Sequence, residues 1–117
     1  MNEEIFKDRT KQLALRVVDF VGKLPPGKTT DIIGRQLLRA GTSVGANYRA
    51  ACRAKSRPDL ISKLGTVEEE ADETAYWLEI LTDAKLVRAS DSAPLLQEAN
   101  EILAMIVASI KTLRDRS

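Results

Sequence analysis

Apolar residues recur at three- and four-residue steps along four separate stretches of the chain. Leu13, Val17, Val21 and Leu24 form the first line, with Lys11, Arg16, Asp19 and Lys23 off it. This spacing predicts a helix over 5–24. Pro25-Pro26-Gly27 ends it, because proline lacks a donor and glycine frees the chain to turn. A second helix is predicted over about 30–54, opened by side-chain oxygens of Thr29-Thr30-Asp31. Its apolar line is Ile33, Leu37, Ala40, Val44, Tyr48 and Ala51. Pro58, with Ser56 or Arg57 before it and Asp59 after it, opens a third helix over about 58–84. There Leu60, Leu64, Val67, Ala71, Thr74, Leu78 and Leu81 alternate steps of four and three throughout, the seam of a bundle. After the connector 85–90, Asp91 or Ser92 is expected to cap a fourth helix with Pro94 in its first turn. Leu96, Ala99, Leu103, Ile106, Ile110 and Leu113 repeat the seam, and Arg114-Asp115-Arg116-Ser117 is expected to fray. Four amphipathic helices with short connectors predict an all-α, up-down-up-down antiparallel four-helix bundle. At 117 residues the expectation is one domain, 1–117.

The second helix carries more glycine than a helix favours. Gly34, Gly41 and Gly45 would each cost about 1 kcal/mol relative to alanine. Wound at a helical pitch they fall together on one flank of the apolar line, with Cys52 below. Clustering predicts that a neighbouring backbone comes close there, within the bundle or from another protomer.

Charge divides between the second and third helices. Arg35, Arg39, Arg49 and Arg53 share the face opposite the apolar line, and Lys55, Arg57 and Lys63 follow. From Arg35 to Lys63 the only acid is Asp59. From Glu68 to Asp83 the sign inverts, with Glu68, Glu69, Glu70, Asp72, Glu73, Glu79 and Asp83 and no cation. An antiparallel hairpin turning near residue 55 sets Arg39 level with Asp72 and Glu73, and Arg35 level with Tyr76 and Glu79. Those two arginines are expected to find acids at their own height, where exposed pairs contribute about 0–1 kcal/mol. Arg49, Arg53, Lys55, Arg57 and Lys63 have no such neighbours in sequence register and are read as an unpaired cationic end suited to phosphate. Two other readings stand beside it: a solvated helix face, or acidic and basic faces that pair between protomers. Tyr76 and Trp77 lie off the seam. They mark an interface, or Trp77 covers a neighbouring helix of its own bundle.

Chemistry narrows the function further. The chain contains no histidine, which removes imidazole-based triads, His-containing zinc sites and the Glu-x-x-His signature of di-iron bundles. The carboxylate pairs Glu69/Glu73 and Glu68/Asp72 lie off the core seam without a histidine to complete a transition-metal site. Gly41-x-x-x-Gly45 has helical spacing and is no phosphate loop. Cys52 falls near a helix C-terminus, which disfavours a thiolate, so it reads as a small buried hydrophobe. No catalytic residue, metal or cofactor is assigned. With a net charge of +1, bulk electrostatics would not drive the protein onto nucleic acid, so any binding rests on where charge is placed. Apolar runs of only a few residues predict no membrane span. A charged N-terminus and a single cysteine predict a cytoplasmic protein.

Leu37-Leu38-Arg39-Ala40-Gly41-Thr42-Ser43-Val44-Gly45-Ala46-Asn47-Tyr48-Arg49-Ala50-Ala51 carries a resemblance, together with Lys63-Leu64-Gly65, Glu70-Ala71-Asp72-Glu73-Thr74-Ala75-Tyr76-Trp77-Leu78 and Glu98-Ala99-Asn100-Glu101. These phrases resemble the bacterial four-helix-bundle family of 23S rRNA intervening-sequence proteins, from Leu13 to Lys111. The resemblance implies a cytoplasmic bundle assembling as a ring-shaped homopentamer, with no enzymatic activity. Similar bundles accompany the reverse transcriptases of diversity-generating retroelements, where they are thought to bind nucleic acid and the polymerase, which implies RNA or other nucleic acid, or a partner protein, as partners here. The motif positions carried over are Gly45, Asn47, Tyr48, Arg49, Glu73, Tyr76 and Trp77. The function expected is therefore a non-enzymatic homo-oligomer that binds nucleic acid through Arg49, Arg53, Lys55, Arg57 and Lys63, helped by Arg35 and Arg39. The alternative is a protein-interaction scaffold whose charges only organise the oligomer or dock a partner.

Overall fold

The computed structural model describes residues 2–116, so Met1 and Ser117, the ends of the expected domain, lie outside the described residues. Four helices run α1 (Glu3–Gly22), α2 (Lys28–Ala51), α3 (Arg57–Asp83) and α4 (Ala89–Asp115), with no strand among the described residues. Each packs against its neighbour in sequence, and α4 returns to α1, giving the expected antiparallel bundle, 48 Å long and 21 × 20 Å across. The core is aliphatic, built on Leu13, Val17, Leu37, Val44, Val67, Leu78, Leu81, Ile102 and Ile106, with Phe6 and Tyr48 at one end. Their rings meet edge to face at 4.7 Å and 68°.

The helix ends differ from the expectation for reasons of capping. Asn2 caps α1 by accepting from the Ile5 N–H at 3.0 Å, so the helix starts earlier and brings Phe6 and Thr10 into the core. α2 starts at Lys28 with Gly27 before it. Thr30, expected at the cap, is instead buried. Ser56 caps α3 by accepting from the Asp59 N–H at 3.1 Å, and Pro58 sits in the first turn as expected. α4 begins at Ala89 rather than near 92, which leaves Pro94 inside the helix. Asp91 pairs with Arg88 at 3.1 Å, and Ser92 is buried, sharing a hydrogen bond of 2.7 Å with Thr82.

The predicted seam of α3 is buried from Leu64 to Leu81, with Leu60 half-buried at its end. That of α4 is partly rotated. Ser92, Leu95, Ala99, Ile102, Ile106 and Ile110 are buried, whereas Leu96, Leu103 and Leu113 are only half-buried. An apolar residue lies beside the line at almost every turn of α4, so periodicity alone left two phases open. By length and composition α4 is also apolar enough to cross a membrane, which the short-run criterion overlooked. In the bundle its apolar line is core.

The glycine cluster faces α1. A Cβ on Gly41 would lie 2.7 Å from one Val17 methyl and 2.8 Å from the other. One on Gly45 would lie 3.2 Å from Thr10 Oγ1 and 3.4 Å from the Thr10 backbone carbonyl carbon, and one on Gly34 3.0 Å from Leu24 Cδ1. The close approach is therefore made inside the bundle, by α1 at Gly41 and Gly45 and at Gly34 by Leu24 of the connector that follows α1.

The loosest contact is between α1 and α4. It is bridged by Arg9, whose Nε and Nη2 donate to both Glu98 oxygens at 2.8 Å, with Nη2 also 2.7 Å from Glu101. The carboxylates hold the guanidinium well above its ordinary pKa, through the Glu98 hydrogen bonds first.

Candidate nucleic-acid interface

The α2–α3 turn gathers the expected cations because both helices end within a few residues of one another. α2 closes as the Cys52 N–H bonds the Tyr48 carbonyl at 3.0 Å, and the chain reverses through 53–56. Arg49 and Arg53 stand one turn apart, the Arg53 guanidinium donating to the Arg49 carbonyl at 3.3 Å. A cation at a helix C-terminus is favoured by the exposed carbonyls there. The backbone N–H of Lys55 donates to Asp59 at 3.0 Å, and the residue is exposed. Arg57 donates to the carbonyl of Arg116 at 3.0 Å, which ties the turn to the end of α4.

That tie between Arg57 and Arg116 changes the expected C-terminus. Arg114 lies within α4 and Arg116 is its C-cap, so α4 delivers both to the same end of the bundle as Arg53, Lys55 and Arg57. The sequence pattern does not reveal them because they lie about sixty residues from the turn and meet it only through the bundle's topology. Acids at this end are Glu3, Glu4, Asp59 and Asp115. Among the described residues, the side chains of Arg53, Lys55, Arg57 and Arg116 form no ion pair.

Lys63 leaves the expected cluster. Its ammonium lies 2.7 Å and 2.8 Å from the two Asp59 oxygens, so it is paired rather than free. The Lys63 hydrogen bond, and then the Lys55 N–H, hold the Asp59 carboxyl below its usual range. The sequence register overlooked the pair because Asp59 and Lys63 are four apart on one helix. Arg39 behaves as expected and meets Glu73 at 2.8 Å. Arg35 is exposed higher on α2, about 27 Å from Arg53 at ~1.5 Å per residue, so neither it nor Arg39 joins the end cluster.

The other motif positions divide between packing and surface. Gly41 and Gly45 lie against α1, and Tyr48 is buried. The Asn47 amide donates back to the Ser43 carbonyl at 2.8 Å. Burial pushes the Tyr48 phenol up, and burial likewise raises the half-buried Cys52 thiol, against a hydrogen bond with Tyr48 that lowers it. Trp77 is half-buried against the core, which is the covering role, while Tyr76 stands 53% exposed. Their rings meet edge to face at 5.1 Å and 70°. Two buried polar atoms on this side of α3, Trp77 Nε1 and Glu70 Oε2, make no hydrogen bond. Burial, then the neighbouring Glu73, raises the Glu70 carboxyl.

Among the described residues no group of three or more Asp, Glu or Cys converges as a metal site. Beside the basic end a cleft of about 620 Å³ opens between the start of α1 and the end of α4, lined by Cys52, Leu60, Met105 and Leu113.

A family model described as 23S rRNA-intervening sequence protein matches residues 3–108. Among solved structures the chain is similar to a protein of unknown function of the S23 ribosomal protein family from Bacteroides thetaiotaomicron. The two are 34% identical over 95% of this chain and 99% of the other, with a TM-score of 0.87. No curated protein matches the chain.

Proposed function

The chain belongs to the 23S rRNA-intervening sequence protein family, and from that premise we propose that it is a non-enzymatic, cytoplasmic homo-oligomer that binds RNA through one end of the bundle. The observation that carries this reading is the convergence of Arg53, Lys55 and Arg57 with Arg116, cations from the middle and the far end of the sequence whose side chains form no ion pair among the described residues. Phosphate is the ligand such a cluster suits, and binding of this kind is mostly electrostatic and sequence-tolerant. In an assembly related by rotation each protomer repeats the cluster, so a net charge of +1 per chain still yields a strongly positive rim.

The test is a gel-shift titration against total cellular RNA over a range of salt, with molecular mass measured in parallel. Replacing Arg53, Lys55 and Arg57 by alanine is expected to weaken binding and to flatten the slope of log affinity against log salt by roughly 0.7–0.9 for each phosphate no longer neutralised. An unchanged slope overturns the site. A second reading is a protein-interaction scaffold, favoured by Tyr76, an exposed aromatic ring among acids on α3. Under that reading wild-type protein shifts no RNA and the same variants change nothing in the titration.

A further inference from the structure

Two faces of this bundle match each other. On α3 the outward stripe runs Glu69, Asp72, Tyr76, Glu79 and Asp83, with Tyr76 in the centre, seven residues from either end acid. No cation occurs between Glu68 and Asp83, and Glu73 pairs with Arg39 on the flank toward α2. Trp77 braces the Tyr76 ring edge to face, so the exposed ring is held rather than free to sweep.

The opposing pattern lies on the outer face of α1 and α2. Arg35 and Arg49 are fourteen residues apart with Thr42 midway, again seven from each. Both spans are therefore about 21 Å at ~1.5 Å per residue. Between the two arginines Thr42, Gly45 and Ala46 are small, and Arg39, on the same face, is engaged by Glu73 of α3. A shallow cleft of about 440 Å³ is floored by Ala14, Thr42, Gly45 and Ala46. Beyond it on α1, Val18 is about half exposed, 50%. The Thr42 hydroxyl is already engaged with the Leu38 carbonyl at 2.8 Å. Lys7, Lys11 and Arg49 stand on the cleft's rim with Glu4 and Asp8. Lys7 is held by Glu3 and Glu4 at 3.6 and 3.8 Å, while Lys11 and Arg49 have no ion pair among the described residues.

We propose that these two faces bind each other between copies of the chain: Tyr76 of one protomer enters the α1/α2 cleft of the next at Thr42 and Ala46. Its flanking acids meet Arg35 at one end and Arg49 with Lys11 at the other. An aromatic anchor in a small pocket ringed by complementary charge is the arrangement that concentrates binding energy at interfaces. The contact joins two different faces, so it is heterologous and propagates head to tail, closing into a ring when the rotation permits. It leaves the Arg53, Lys55 and Arg57 end uncovered. A side face of a 48 × 21 × 20 Å bundle has room for an ordinary interface of about 800 Å² per partner. The inference rests on the homo-oligomeric part of the proposed function and supplies its contact.

The test is molecular mass by light scattering on the full chain, with helix content followed by circular dichroism. Reversing the acidic face with Asp72→Lys and Glu79→Lys is expected to reduce the mass to that of the protomer, 12.9 kDa. Reversing the basic face with Arg35→Glu and Arg49→Glu is expected to do the same. All four residues are exposed, so helix content should hold. Combining both reversals in one chain is expected to restore the wild-type mass, and Tyr76→Ala alone to weaken assembly at least tenfold. A wild-type protein that is already monomeric refutes the oligomer itself. A wild-type oligomer whose mass survives either reversal refutes the interface and leaves the oligomer standing. Reversals that dissociate it without rescue in the combined variant refute direct pairing of the two faces. Loss of helix in a reversal variant transfers the decision to Tyr76→Ala, whose unchanged mass refutes the anchor.

Discussion

Gly41→Ala isolates the close approach of α1 to α2. A Cβ there would lie 2.7, 2.8 and 3.0 Å from Val17 Cγ2, Cγ1 and Cβ. Val17 is fully buried and β-branched, so no flexible end can swing aside, and α1 itself must move. Overpacking of this kind costs about 1–3 kcal/mol. Alanine also recovers about 1 kcal/mol of helix propensity. The net expectation is a loss of roughly 0–2 kcal/mol. Gly65 is the internal control: it is helical, and a Cβ there meets nothing within 4 Å. Gly65→Ala should gain the propensity alone, about 1 kcal/mol. The difference between the two variants is then the clash itself, roughly 1–3 kcal/mol. Urea unfolding followed by circular dichroism, at one fixed protein concentration, reads both. A second arm uses Val17→Ala, which removes the two methyls. In that background Gly41→Ala should cost less, because only the 3.0 Å contact with the Cβ of residue 17 remains, a coupling visible in a double-mutant cycle. If Gly41→Ala stabilises the wild-type chain as much as Gly65→Ala does, the packing account of the glycine cluster is wrong.

Arg9→Lys should destabilise nearly as much as Arg9→Ala, by about 1–2 kcal/mol, because an ammonium cannot reproduce the forked contact with Glu98 and Glu101; urea midpoints of the two variants decide it. Asp59→Asn releases Lys63, so RNA affinity should rise and its salt dependence steepen in the gel-shift titration. Glu70 titrates in the opposite sense to a paired acid. Its folded pKa is raised by burial and Glu73, so its contribution is fully present below the unfolded carboxylate pKa and is lost as pH rises through the folded value. Glu70→Gln should therefore stabilise the bundle at neutral pH and lose that advantage near pH 4, as measured by melting at both pH values.

How far the sequence could be read differs from element to element. The strict four-three alternation of α3 located its buried face, because few competing apolar residues lie beside that line. α4 has apolar residues on both flanks, and its phase was settled by which ones α1 and α3 could cover. Pairing within a hairpin was legible, since Arg39 and Glu73 sit at matched heights on adjacent antiparallel helices. The Asp59–Lys63 pair was just as local, but it competes with the reading of Lys63 as a free cation, and only side-chain positions decide between them.

Periodicity, capping residues and the absence of histidine follow from order along the chain, and they determined a four-helix all-α bundle without an imidazole site. Sequence also placed the acids and bases in separate blocks. Tertiary structure decided which neighbour each block has. It turned the glycine cluster toward α1, clamped α1 to α4 through Arg9, and carried Arg114 and Arg116 to the α2–α3 turn. The reason is that helix periodicity fixes a residue's direction about its own axis, whereas the partner it meets depends on the rotation and height of a second helix. Those are set by packing the whole core at once.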